Sequence, residues 1–270
     1  MDNSIIEELT HLPAQPLAAV QVLRLIADPD ASAAQLGAVV DLDPALSARV
    51  LRLANAPHYG LSGSVTSAAR AVVLLGFSTV KGVAAAAANG LLAEYVNFGP
   101  EDFWAHSVAT AAAASVVARQ VGMTAADAFS AGLLHDLGAA LLHRHDPRLY
   151  QEVTTAGGSG LLDAERDMFG ATHAEAGAAA LTAWRLPARL VRAVHDHHVP
   201  LEGRGDALTK VLIAGEALAC LVEDLGLVEP RSELGVALEV LGIDAGRTAT
   251  LVAETRAEFD RTAKLVERAG

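Results

Sequence analysis

Residues 43–53 read Asp43-Pro44-Ala45-Leu46-Ser47-Ala48-Arg49-Val50-Leu51-Arg52-Leu53. Asp43 can accept the backbone N–H groups that the first turn of a helix leaves without partners, and Pro44 falls where its missing donor costs nothing. Leu46, Val50, Leu51 and Leu53 follow at helical spacing. The stretch predicts an amphipathic helix.

The same grammar extends in both directions. Upstream, Leu17, Val20, Leu23, Leu25 and Ile26 outline an apolar face that stops at Asp28-Pro29-Asp30, and Ser32 is placed to cap a helix through Leu36, Val39 and Val40. Downstream, residues 57–64 read as a loop, Ser67 opens a helix through Val72, Val73 and Leu74, and Gly76 closes it. After Phe98-Gly99-Pro100, Asp102 would cap a helix carrying Trp104 and His106 through to Arg119, whose many alanines imply close packing. Single helices are predicted over Thr124–Leu142 and Leu161–Trp184, the second after the flexible Gly157-Gly158-Ser159-Gly160. A short helix from Pro187 to near His198, a turn at Gly203-Arg204-Gly205, a helix over Leu208–Leu225 and a C-terminal pair complete the chain.

No stretch of useful length alternates as a strand does. An all-α protein is expected, with an N-terminal helical bundle over 1–99, a helical core over 100–225 and C-terminal helices over 226–270. The chain around Gly99-Pro100 is too short for an independent linker, so the first two parts should pack together.

Composition narrows the class. The single cysteine, Cys220, excludes an intrachain disulfide framework, and the polar start Met1-Asp2-Asn3-Ser4 lacks a signal peptide. Both favour a cytoplasmic protein. Hydrophobic residues make up 52% of the 270, but much of this is alanine. The richest run, Val80 to Leu92, is interrupted by Lys81, Gly82, Asn89 and Gly90 and is shorter than the ~20 apolar residues that span a bilayer. No membrane span is expected. A net charge of −12 repels phosphate backbones, and aromatics at 4% offer no stacking platform, so nucleic acid is not an expected partner. A signalling protein or a small, nucleotide-like ligand fits better.

Eight of the ten histidines fall between 106 and 198. His106, the pair His135-Asp136, His173 with Glu175, and the run His195-Asp196-His197-His198 lie on separate predicted helices. Imidazole with carboxylate suits first-row divalent metals, and facing helices can each contribute one or two ligands. Each piece also has a plain structural reading. Asp136 could simply cap a helix, His197-His198 could decorate an exposed helix end, His143 and His145 near Pro147 suit a surface, and Trp104 suits the core.

Several separated motifs, in order from residue 12 to about 220, resemble the HD-related output domain (HDOD) family. In the N-terminal half these are Leu12-Pro13-Ala14-Gln15-Pro16, Asp28-Pro29-Asp30-Ala31-Ser32, Asp43-Pro44-Ala45-Leu46, Arg52-Leu53-Ala54-Asn55 and Leu74-Leu75-Gly76. In the second half they are Phe103-Trp104-Ala105-His106-Ser107, Gly132-Leu133-Leu134-His135-Asp136-Leu137-Gly138, His173-Ala174-Glu175-Ala176-Gly177, Trp184-Arg185-Leu186-Pro187 and His197-His198. The resemblance implies an N-terminal helical bundle packed on an HD-like core, in a family associated with signalling and related to metal-dependent phosphohydrolases but generally regarded as lacking that activity. By position, His106, His135, Asp136, His173, His197 and His198 match metal-ligand places of the HD-GYP enzymes, and Glu216 falls where those carry a final Asp. The implied cofactor is a divalent transition metal: iron, manganese, zinc or nickel.

Three departures weigh against catalysis. Ala139 stands where catalytic relatives often place a lysine, Val199 follows His197-His198 in place of an acidic residue, and Glu202-Gly203-Arg204-Gly205-Asp206-Ala207 lacks the Tyr-Pro of the GYP signature. A non-catalytic regulatory module is therefore the leading expectation. A metal-dependent phosphohydrolase and a nucleotide sensor without turnover are the alternatives.

Overall fold

The computed structural model describes residues 18–80, apart from gaps at 19–20, 23, 26–27, 29, 58–62 and 77–78, then 103–157, 160–201, 205–222 and 229–267. The boundary at Phe98-Gly99-Pro100, the cap at Asp102, the Trp104 side chain and residues 202–204 lie outside the described set. Every regular element among the described residues is helical.

The N-terminal part includes α1 (Ala33–Val40), α2 (Pro44–Ala54) and α3 (Ala68–Leu75), each opened by the residue expected from sequence. Ser32 Oγ accepts from Gln35 N at 3.2 Å while Gln35 Oε1 accepts from Ser32 N at 2.7 Å, a complete capping box. Asp43 Oδ1 accepts from Leu46 N at 2.6 Å, and Ser67 Oγ accepts from Arg70 N at 3.4 Å.

The remainder is built from α4 (Phe103–Gln120), α5 (Ala125–Leu134), α6 (Leu137–His145), α7 (Pro147–Gly157), α8 (Leu161–Phe169), α9 (His173–Ala183), α10 (Ala188–Asp196), α11 (Ala207–Val222), α12 (Glu229–Val240) and α13 (Thr248–Glu267). Two expectations are corrected. The helix predicted over Thr124–Leu142 is broken at His135-Asp136, giving α5 and α6. The helix predicted over Leu161–Trp184 is broken at Gly170, whose φ of +74° is left-handed and favours glycine. Thr172 then restarts the chain as α9, in a capping box with Glu175. Helix α7 was not foreseen, although Asp146-Pro147 repeats the signature of Asp43-Pro44; Asp146 Oδ1 accepts from Leu149 N at 3.0 Å.

Helix α4 is central and packs against α5, α11 and α13. One apolar cluster runs from Leu46, Leu51 and Val72 in the N-terminal helices to Val117, Leu134, Leu181, Val194 and Leu212 in the core. The two parts thus share an interior. None of the described helices is long and apolar enough to cross a membrane.

Candidate metal centre

The break between α5 and α6 places His135 and Asp136 side by side at a junction of helices. His135 is fully buried, and its Nδ1 lies 2.7 Å from the Gly132 carbonyl, an acceptor that requires the proton on Nδ1. Nε2 is therefore a lone pair pointing inward. His197, just past the end of α10, repeats the device: Nδ1 lies 2.6 Å from the Val194 carbonyl.

Asp136 is the hub. Its Oδ2 lies 3.4 Å from His135 Nε2 and 3.8 Å from His106 Nε2, and its Oδ1 lies 3.4 Å from His173 Nε2 and 3.5 Å from His197 Nε2. His173 Nε2 is also 2.8 Å from His198 Nε2. Three overlapping sets have their ligand atoms within 4.8 Å of one another: Asp136, His173, His197 and His198; His106, His135 and Asp136; and His135, His197 and Glu216. All seven residues singled out from sequence are thus brought together. The other candidates lie elsewhere. Glu175 caps α9 and pairs with Arg166 at 2.9 Å, and His195 is exposed beside Asp196. His143 is half-buried, its ring 6.1 Å from that of Tyr150, and His145 is exposed. Asp206 caps α11, accepting from Thr209 N at 3.0 Å.

Two further residues build the site. Glu165 of α8 is fully buried; its Oε2 lies 2.8 Å from both the backbone N and Nδ1 of His173, and its Oε1 accepts from the Tyr150 hydroxyl at 3.2 Å. Gly138 lets α6 touch α9, because a Cβ there would stand 1.8 Å from the His173 carbonyl oxygen. That contact seats His173 against Asp136. A cavity of about 370 Å³ opens beside the cluster, walled by Phe103, Tyr150 and Leu161 as well as by His106, Asp136, His173, His198 and Glu216.

Electrostatics follow from this crowding. Burial pushes His135 down to about 3, against the pull of Asp136, so its ring is neutral. Burial alone would raise Asp136, but the surrounding imidazoles of His135, His197, His173 and His106 hold it well below the usual carboxylate range. Burial also disfavours charge on His173, yet its bond to Glu165 and the nearby Asp136 carry it up to about 8. Burial raises Glu216. His198 is exposed as a residue while its ring tip turns inward, and desolvation together with His197 and His173 lowers it.

The buried atoms His135 Nε2, His197 Nε2 and Asp136 Oδ1 have no hydrogen-bond partner. Such atoms cost roughly 1–3 kcal/mol each when left unpaired. Imidazole Nε2 atoms facing an ionised carboxylate form the donor set of a divalent transition metal, so the residues fit the group.

The sequence pattern of the HDOD domain family matches residues 12–200. The crystal structure of the MmoQ response regulator from Methylococcus capsulatus str. Bath is 28% identical, with a TM-score of 0.73, covering 90% of this chain and 98% of that one. A structure from Shewanella amazonensis SB2B, provisionally described as a phosphohydrolase, is 25% identical with a TM-score of 0.55, covering 97% and 98%. An uncharacterised protein of Treponema pallidum (strain Nichols) is 25% identical over 206 residues, 72% of this chain; the chain spans 39% of that relative's length.

Proposed function

The chain belongs to the HDOD domain family, and on that premise we propose that it is a regulatory module of signal transduction whose HD-type pocket holds a divalent transition metal without efficient hydrolysis. The single observation that carries the metal is the gathering of three unpartnered buried atoms, His135 Nε2, His197 Nε2 and Asp136 Oδ1, around one carboxylate: His197 Nε2 lies 3.5 Å from Asp136 Oδ1 and His135 Nε2 lies 3.4 Å from Oδ2 of the same group. Backbone carbonyls at Nδ1 turn Nε2 of His135 and His197 toward the cluster, burial keeps His135 neutral, and Glu165 orients His173. The ion would supply positive charge and Lewis acidity to a ligand entering the cavity.

The regulatory reading rests on the walls of that cavity. Among its described lining residues there is no arginine or lysine, and Ala139 stands on the wall after Gly138. A phosphate ester would meet Asp136 and Glu216 with only the ion to balance its charge. Hydrolysis needs charge stabilisation that strengthens in the transition state, and these side chains offer little. The likeness to a response regulator supports signalling as the context.

The test is metal analysis of the purified protein followed by assay of the loaded protein on a cyclic dinucleotide and a chromogenic phosphodiester. The expected result is bound metal with turnover far below that of ordinary enzymes, roughly 1–10³ per second. Turnover in that range, abolished by His135→Ala, overturns the non-catalytic reading.

A further inference from the structure

Two helices that deliver pocket residues also begin at one polar cluster. Helix α5 runs from Ala125 to Leu134 and hands the chain to His135 and Asp136; α10 runs from Ala188 to Asp196 and hands it to His197. At their far ends the rings of His135 and His197 stand 5.2 Å apart. At their near ends, Asp127 in the first turn of α5 meets Arg189 in the first turn of α10, with Arg189 Nη2 2.8 Å from Asp127 Oδ2.

The third member comes from the N-terminal part. Thr66 lies in the segment leading into α3; its hydroxyl donates to Asp127 Oδ1 and accepts from Arg189 Nη2 at 2.9 Å. Thr66 and Asp127 are both buried. Asn55, itself fully buried at the end of α2, fixes the segment that presents Thr66: its Nδ2 donates to Val65 O at 2.8 Å and its Oδ1 accepts from Val65 N at 3.1 Å.

Arg189 breaks a local rule. A cation in the first turn of a helix opposes the positive end of the helix dipole, and a buried carboxylate gives up hydration. Asp127 offsets the first cost and Arg189 the second, so each makes the other tolerable. Apolar contacts elsewhere between the two parts are non-directional and tolerate sliding, whereas this triad has one geometry.

We infer that Thr66, Asp127 and Arg189 form a clasp that couples the N-terminal helices to the pocket. A shift of the segment carrying Thr66 moves the origins of α5 and α10 together, and each helix carries that shift over about 12 Å to His135, Asp136 and His197. In the other direction, an ion gripped by those residues restrains the same two helices and hence the surface of α2 and α3. The identity of the occupant rests on the metal reading above; the mechanical coupling does not.

Hydrogen exchange followed by mass spectrometry on the full chain, without added metal, tests the clasp in Thr66→Val and Arg189→Met. Exchange should accelerate at least about fivefold at residues 134–137 and 195–199 as well as at the cluster, with α12 unchanged. Arg192→Gln, also on α10, which loses a 3.5 Å surface pair with Asp206 at the start of α11, should leave residues 134–137 unchanged. Acceleration confined to the cluster, or equal acceleration in Arg192→Gln, overturns the coupling. Should Arg189→Met unfold, Thr66→Val decides, since it removes one hydroxyl at nearly constant volume. A reciprocal arm adds Mn²⁺ to the wild type and should slow exchange at residues 64–68. If Mn²⁺ does not bind, the metal reading fails while the two variants still judge the clasp; if it binds and residues 64–68 do not respond, the clasp fails alone.

Discussion

His173 is gripped at both ends of its ring: Nδ1 lies 2.8 Å from Glu165 Oε2 and Nε2 lies 3.4 Å from Asp136 Oδ1. A buried carboxylate on Nδ1 sets the tautomer and makes Nε2 the more basic donor. Glu165→Gln keeps the shape and removes the charge. Its affinity for Zn²⁺ or Mn²⁺, read by calorimetric titration, should fall at least about tenfold.

The same grip makes stability depend on pH in the metal-free protein. His173 titrates near 8 when folded and near ~6.5 when unfolded. A raised histidine contributes stability that is complete below the unfolded value and lost as pH rises through the folded one. Denaturant unfolding of the wild type should therefore show a loss on the order of 2 kcal/mol between pH 6 and pH 9 from this group, and Glu165→Gln should flatten it. Metal must displace the same proton, so affinity should rise over that window, with proton release detectable by titration in buffers of different ionisation enthalpy.

Asp41 carries an opposite lesson. It caps the C-terminus of α1, the negative end of the helix, its Oδ1 is buried without a partner, and burial pushes its carboxyl up to about 7. The ordinary carboxyl value is 3.8, so stability is lost as pH rises from there through about 7. Asp41→Asn should stabilise the protein by about 1–3 kcal/mol at pH 8 and do little at pH 4, as measured by denaturant midpoints at the two pH values.

Gly138 tests the packing that assembles the site. A methyl group there collides with the α9 backbone at His173. Gly138→Ala should cost about 3 kcal/mol and weaken metal binding, whereas Gly160→Ala, where an added Cβ meets nothing within 4 Å, should do neither. Thermal melts with metal titrations separate the two.

Helix starts were legible because caps are local. Ser32, Asp43 and Ser67 each satisfy N–H groups within three residues, and their chemistry is written in adjacent positions. The breaks at His135-Asp136 and Gly170 were not, because apolar spacing continues across them. The histidine set and Asp136 could be read from residue type and spacing. Glu165 could not: in Asp163-Ala164-Glu165-Arg166-Asp167 it looks like part of a solvated face, and only the arrival of the α9 N-terminus buries it. The α7 tyrosine, Tyr150, was hidden for the same reason.

The central claim is that the histidines gathered around Asp136, His197 among them, hold a divalent transition ion. Metal content after loading with Mn²⁺ and desalting tests it directly, with His197→Ala as the comparison. Roughly one ion or more should remain per wild-type chain, and substantially less in the variant. A wild-type chain that retains no more metal than His197→Ala, while both remain folded, contradicts the account.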